Sequence, residues 1–261
     1  MAQFITKIIN KIIEARNIPE RLKIGILHPI HKKDKAINIP GNFRGIQIIS
    51  ILAKILDIIR NNHQKAAIPD DRCDYQFGFT EGRAHSHATM LLNKVIAEAK
   101  DTKEPLYVAS LDIQKAFDVT PHANLLHKLF HDGLPATWWL LKSSGYDEMK
   151  TKVVLEGAKG EPYPVQQGIV QGGIGSTGDF KIAIHKAIEA IVKTGIGSHI
   201  GTTPTNILAC ADDVILLAPS ELEMQQLIML FNVFTNKERF KIHPTKTSIS
   251  IYNPNLCEYE F

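Results

Sequence analysis

Apolar residues over the first 22 positions (MAQFITKIINKIIEARNIPERL) recur at helical spacing, with Lys7, Lys11 and Arg16 between them. The pattern predicts an amphipathic helix ending near Ile18-Pro19. Spacing then tightens to that of a strand over Lys23–Ile30 (KIGILHPI). The polar run HKKDKAINIPGN reads as a hairpin tip, with Phe43–Ile49 as the return strand. Ser50 is placed to cap a helix through Ile51–Arg60, residues 61–82 are rich in turn formers, and Ala84–Ala99 regain helical spacing.

From Leu106 onward the pattern begins to carry chemistry. LYVASLD is an apolar, strand-forming run closed by Asp112, and IQKAFDVTPHANLLHKLFHDG follows at helical spacing with Gly133 as a stop. NILAC leads into Ala211-Asp212-Asp213, and VILLA follows at once, which predicts a tight hairpin over 206–218 with carboxylates at its tip. Ser220-Glu221-Leu222-Glu223 has the form of a capping box and opens a helix to about Phe234. Strands and helices follow one another in mixed order, so the fold class is α+β.

Composition narrows the choices. The 261 residues are 44% hydrophobic and 22% charged, enough for a sizeable core and unlike a disordered chain. Lys, Asp or His interrupts every apolar stretch well before the ~20 residues a bilayer span needs, and no uninterrupted apolar centre marks a secretory signal. Cys73, Cys210 and Cys257 are far apart, without the paired spacing of a zinc module or disulfide scaffold. An intracellular setting, with the nucleus as one option, is the expectation. Charge is lopsided: up to Lys65 there are twelve basic and four acidic residues. Against an overall net charge of +3, the remainder is net acidic by five. This suits an early part that meets phosphates and a later part that concentrates carboxylates, and equally a solvated basic face.

If the strands ending at Asp112 and flanking Asp212-Asp213 are neighbours, three carboxylates converge. Such crowding is unfavourable without a cation, and hard oxygen ligands suit Mg²⁺. Two such ions can activate an attacking oxygen and stabilise a leaving one in phosphoryl displacement. Single aspartates in turns are commonly structural, but an acidic pair between two apolar runs is costly to hold without a partner. In QQGIVQGGIGSTGDF (166–180) Gly173, Gly175 and Gly178 satisfy G-x-G-x-x-G formally. No strand precedes the motif and no acid lies between Glu189 and Asp212, which excludes a dinucleotide fingerprint. A flexible glycine turn leading into a helix is left, suited to close approach by a ligand. His127 and His131 share a helical face at i and i+4, as a metal pair would. No glutamate lies between them and Lys128 lies alongside, so the spacing reads first as a helix surface.

Together LDIQKAFD, GIVQGGIGS (168–176) and ADD (211–213), in this order, resemble the reverse transcriptases of non-LTR retrotransposons, and more distantly group II intron maturases. The similarity runs from about Ile18 to Ile251. It implies a right-hand polymerase: residues 1–100 mainly fingers, 101–261 mainly palm, an antiparallel palm sheet packed on helices, and a thumb largely absent. The activity implied is RNA-directed DNA synthesis by two-metal nucleotidyl transfer, with two Mg²⁺ ions (Mn²⁺ as an alternative), dNTPs, an RNA template and a DNA primer. By the resemblance, Asp112 and Asp212 are the chief metal ligands, with Asp213 in the same site and the Ile113 carbonyl beside them. Phe117 matches the bulky gate that crowds a ribose 2′-hydroxyl, whereas RNA-templated RNA polymerases tend to place a polar or acidic residue there. Lys32 and Arg44 match the residues that hold the incoming triphosphate, with Lys33 replacing Lys32 if the register slips. Gln171 and Gly172 match residues beside the nascent base pair. Lys246 matches a lysine near the leaving pyrophosphate, and Arg83, in QFGFTEGRAHSHA (76–88), one near template or primer.

Some positions depart from the family pattern. Cys210 replaces the aromatic that often precedes ADD and would pack beneath the primer end; Ser176-Thr177 replaces Ser-Pro; Asp179 stands where an apolar residue is usual; and His243 replaces Asn. Thumb and endonuclease regions are expected to belong to a longer element protein, and no membrane partner is expected. The alternative to an active polymerase is a catalytically silent RNA-binding remnant that keeps the fold and the basic fingers.

Overall fold

The computed structural model describes residues 1–69 and 73–252, so Cys257 lies outside the described residues. Helix α1 (Ala2–Ala15) stops short of Ile18-Pro19, because Arg16 takes a left-handed conformation and its N–H bonds back to Ile13 O. Strands β1 (Ile24–His31) and β2 (Phe43–Ile48) form the expected hairpin. Helix α2 (Ile51–Ala67) is longer than its apolar spacing suggests, and Ser50 Oγ caps it by accepting from Ala53 N at 3.2 Å. Next come α3 (His85–Thr102) and β3 (Leu106–Gln114). The single helix predicted over 113–133 is two, α4 (Ala116–Val119) and α5 (His122–His131). Strand β3 runs on to Gln114, and Pro121 interrupts the backbone bonding between the two helices. The chain continues through α6 (Ala136–Tyr146), β4 (Lys150–Leu155), β5 (Ala158–Lys159), β6 (Tyr163–Pro164) and α7 (Ser176–Lys193). It closes with β7 (His199–Ile200), β8 (Thr203–Pro204), β9 (Ile207–Cys210), β10 (Asp213–Ala218), α8 (Glu221–Lys237), β11 (Lys241–Ile242) and β12 (Ser248–Tyr252). Among the described residues no helix is long and apolar enough to cross a membrane.

These elements form two units that interleave along the chain: Met1–Pro69 with Phe117–Phe180, and Asp70–Ala116 with Lys181–Phe261. The chain passes between the units three times.

In the first unit β1 is central. It pairs antiparallel with β2 and parallel with β4, and β4 carries β5 and β6. Helices α1, α2 and α6 bury Ile9, Ile12, Leu56 and Leu141 around Ile18. Each such side chain contributes about 1.5–3 kcal/mol on leaving water. The same helices also enclose charge. Lys142 on α6 is 1% exposed and donates to Asp179, on the first turn of α7, and to Gln64 Oε1 at 2.7 Å. Gln64 Nε2 and Tyr146 Oη donate to the same carboxylate at 3.0 and 3.3 Å. An aspartate where the family pattern is apolar is therefore matched by a buried cation and two further donors. Burial pushes the Lys142 ammonium below the ordinary lysine value, with Asp179 opposing.

In the second unit β3 is central again. Strand β10 pairs along one edge, β9 continues beyond it, and β11 and β12 pair successively along the other edge, all antiparallel. Ala109, Leu111 and Ile113 turn inward and Ser110, Asp112 and Gln114 outward, the period-2 alternation of a sheet with one covered face. Met224, Leu227 and Phe231 of α8 are fully buried, and α3 packs Val95 and Ala99 against Leu106, Leu208 and Leu217.

Removing one member of the buried pair leaves the other uncompensated. Asp179→Ala is expected to lower unfolding free energy by about 3–5 kcal/mol in denaturant titration, while Lys142→Met with Asp179→Leu restores most of it. A double variant no more stable than the single one would remove the pair from this role.

Candidate active site

The pairing of β3 with β10 sets Asp213 directly opposite Asp112, and the pairing of β10 with β9 sets Asp213 opposite Cys210. Opposed residues of an antiparallel pair project from the same face with Cβ atoms about 4.5–5.5 Å apart. Ala211 and Asp212 alone bridge the paired positions Cys210 and Asp213, so the hairpin tip is a two-residue turn. The three acids thus reach one end of one sheet. Burial, then the charges of Asp212 and Asp112, raise the Asp213 carboxyl above its ordinary value. Lys246 Nζ lies 3.1 and 3.2 Å from the two oxygens of Asp112 and supplies the neutralising charge. Among the described residues no three His, Cys, Asp or Glu side chains enclose an ion by themselves. The donors are nevertheless all hard oxygens, the set a Mg²⁺ ion takes together with water and phosphate oxygens.

The turn is held from outside the hairpin. Ala211 has φ 60°, a conformation usually left to glycine at this turn position. Its N–H donates to Gln76 Oε1 at 2.9 Å, and the same oxygen accepts from Gly78 N at 2.9 Å. Gln76 is 2% exposed and lies parallel to Ala209, fixed by Ala209 N to Tyr75 O and Phe77 N to Ala209 O, both 2.8 Å. A Cβ on Gly78 would stand 2.2 Å from Ala211 N, so only glycine lets this segment lie against the acidic hairpin turn. Gln76 and Gly78 escaped the sequence reading. The one available signal was the glycine between two aromatics in QFGF, and the block containing it drew attention to Arg83 instead.

Other candidates take definite places. Ile113 is buried beside Asp112, and its N–H faces Asp212 O at 3.4 Å. Cys210 Sγ lies 2.7 Å from His85 Nδ1, and burial together with Asp213 and Asp212 raises its thiol. Arg83 ties its guanidinium to Cys73 O at 2.6 Å and Asp74 at 2.7 Å, closing its own loop. In the first unit Lys32 Nζ donates to Gly41 O at 3.2 Å across the connection between β1 and β2, and Lys33 is exposed. Arg44, opposite Ile30, shares the exposed face of β2 with Ile46 and Ile48. Phe117 stacks on Phe180 at 5.1 Å, and its carbonyl accepts from Ile169 N at 2.6 Å. Gln171 Nε2 donates to Asp118 Oδ1 at 2.7 Å and Gln171 O accepts from Gln47 N at 3.0 Å, while Gly172 takes φ 105°.

The glycine turn is anchored from within the first unit. Asp57 Oδ2 accepts from Ile174 N at 2.8 Å and Gly175 N at 3.2 Å, so the amides ahead of α7 are occupied by the chain's own carboxylate rather than open to a ligand. Burial alone would raise this carboxyl, but Arg60 and the Gly175 N–H outweigh it and hold it below its usual value.

An antiparallel sheet that brings three carboxylates to one end, with helices on its covered face, is the palm of a nucleic-acid polymerase. The chain belongs to the reverse transcriptase family: residues 30–257 match the family described as reverse transcriptase (RNA-dependent DNA polymerase), whose members use divalent metal ions. It is 29% identical to the RNA-directed DNA polymerase from mobile element jockey of Drosophila melanogaster, over 84% of this chain and 24% of that protein. It is 27% identical to the Pol polyprotein of type-2 retrotransposable element R2DM of the same organism, over 85% of this chain and 21% of that protein. The chain thus spans about a quarter of the length of the curated relatives it matches. A telomerase from Candida albicans, solved with the TWJ fragment of telomeric RNA, shares the fold with TM-score 0.63 at 11% identity, over 97% of this chain and 46% of that one.

Two outcomes test the geometry of the second unit. Gln76→Leu is expected to speed hydrogen exchange at the Ala211 amide by at least about fivefold, since a lost buried acceptor is worth about 1–3 kcal/mol. Unchanged exchange would mean that the turn holds itself. Asp213→Asn is expected to raise the melting temperature at pH 7.5 without divalent ions. The raised carboxyl is a penalty above its folded value, so the gain shrinks as pH falls through that value.

Proposed function

We propose that this chain is the catalytic core of an RNA-directed DNA polymerase, which adds dNTPs to a DNA primer 3′-hydroxyl on an RNA template. The observation that carries this proposal is the pairing of Asp112 with Asp213 across β3 and β10, with Asp212 in the turn between β9 and β10. Asp112 and Asp212, with Asp213 and the Ile113 carbonyl, would hold two Mg²⁺ ions, which activate the attacking hydroxyl and offset charge on the leaving pyrophosphate.

The remaining work falls to the chain's own groups. Lys246 is the counter-ion of Asp112 in this structure, and with cations on that carboxylate it would be available to the pyrophosphate. Lys32 and Arg44 offset triphosphate charge, with Lys33 as the alternative to Lys32. Gln171 and Gly172 border the nascent base pair, Cys210 the primer end, and Arg83 the nucleic acid near its loop. Phe117, anchored through Phe180 and Ile169, crowds a ribose 2′-hydroxyl and favours deoxynucleotides. The site of action is proposed to be intracellular, with the nucleus as one option.

Primer extension on an RNA template with dNTPs and Mg²⁺ tests this proposal. Asp212→Ala is expected to lower extension at least about a thousandfold, the loss of several kcal/mol of charge stabilisation, while RNA binding persists. Extension that survives the substitution overturns the assigned roles. Salt-sensitive RNA binding with no extension by the unaltered chain would identify a silent RNA-binding remnant instead. Phe117→Val is expected to raise rNTP use relative to dNTP, and an unchanged ratio would remove Phe117 as the gate.

A further inference from the structure

We infer that His127 and His131 form a binding site for a divalent transition-metal ion of the Cu²⁺ and Zn²⁺ class on the outer face of α5. Their Nε2 atoms are 3.1 Å apart and their ring centroids 4.3 Å apart. Two imidazole nitrogens at 2.0–2.1 Å from one ion, separated by the observed 3.1 Å, subtend roughly 100° at it, between the square-planar and tetrahedral angles. The pair therefore meets a coordination bite with little rotamer change, and without an ion the same two nitrogens share a hydrogen bond.

The objection raised by the sequence, a lysine alongside, does not survive folding. Lys128 is 6% exposed and is buried with Leu125 and Leu129, whereas His127 and His131 are exposed. Neighbours steady the exposed side: Phe130 meets the His131 ring edge-on at 5.7 Å and the Trp139 ring at 6.1 Å. Trp139 Nε1 in turn donates to Leu126 O at 2.8 Å, tying α6 to α5 next to the site. A pre-set pair loses less freedom on binding than two independent side chains.

The chemistry also separates this site from the carboxylate cluster. Two imidazoles select copper, nickel or zinc, whereas Mg²⁺ seeks oxygen. No third His, Cys, Asp or Glu among the described residues completes the shell, so water fills it and affinity is moderate. No glutamate stands between the histidines to act as a base, so the ion bridges one helical turn and stabilises α5 rather than hydrolysing a substrate.

The test is calorimetric titration of the full chain with Cu²⁺ and with Zn²⁺ in excess Mg²⁺, beside His127→Gln and His131→Gln. One equivalent should bind, with a rise in melting temperature on adding Zn²⁺. Each substitution should lower affinity at least about tenfold and abolish that rise. Electron paramagnetic resonance of the Cu²⁺ form should show two nitrogen ligands, lost in either variant. No binding, or affinity retained in both variants, overturns the site, since it would place any bound ion elsewhere among the chain's 11 histidines. Polymerase activity plays no part in this readout, so it stands or falls independently of the proposed reaction.

Discussion

The antiparallel pairing of β3 with β10 is the constraint on which the carboxylate site depends. Six residue pairs run from Asp213↔Asp112 to Ala218↔Tyr107. A slip of one residue would turn one strand's side chains to the opposite face and bury an aspartate. The apolar alternation of both strands prevents this. Ala109, Leu111 and Ile113 on β3 and Val214 and Leu216 on β10 all face the core, and their burial outweighs any gain from a shifted register. The core thereby fixes where the acids point.

The two units handle charge in opposite ways. In the first, Asp57 and Asp179 are enclosed by Arg60, Lys142 and donors from side chains and backbone, so buried charge is neutralised within the scaffold. In the second, three carboxylates share one end of the sheet with Lys246 as the counter-ion on Asp112. The first arrangement makes a rigid support for the glycine segment. The second leaves a surplus of negative charge that a cation can relieve, which is what a phosphoryl-transfer site requires.

Local pattern carried most of the secondary structure. Strand-like runs, the Ser50 and Ser220 caps and the acidic hairpin were legible because short-range chemistry governs them. Ends were less legible. A left-handed residue stops α1, and Pro121 together with the length of β3 divides α4 from α5, where apolar spacing runs on without a break. The ordered motifs at 111–118, 168–176 and 211–213 were enough to indicate the family, because each places an unusual residue type at a fixed distance from the next.

By itself, then, the sequence determined which residues are acids at strand ends, where most helices and strands lie, and the family of the chain. Tertiary structure alone decided what each polar group meets. Gln76 and Gly78 lie more than 130 residues from Ala211, and nothing in their own neighbourhood announces that they hold the acidic hairpin turn. Asp179 looked anomalous until α6 brought Lys142 against it, and Asp57 was unremarkable until the glycine turn closed over its carboxylate. Lys128 seemed to spoil the histidine pair until folding buried it and left the two imidazoles exposed. The physical reason is common to all four: propensity and periodicity act over a few residues, whereas hydrogen bonds and charge pairs are set by whatever the packed core brings within reach.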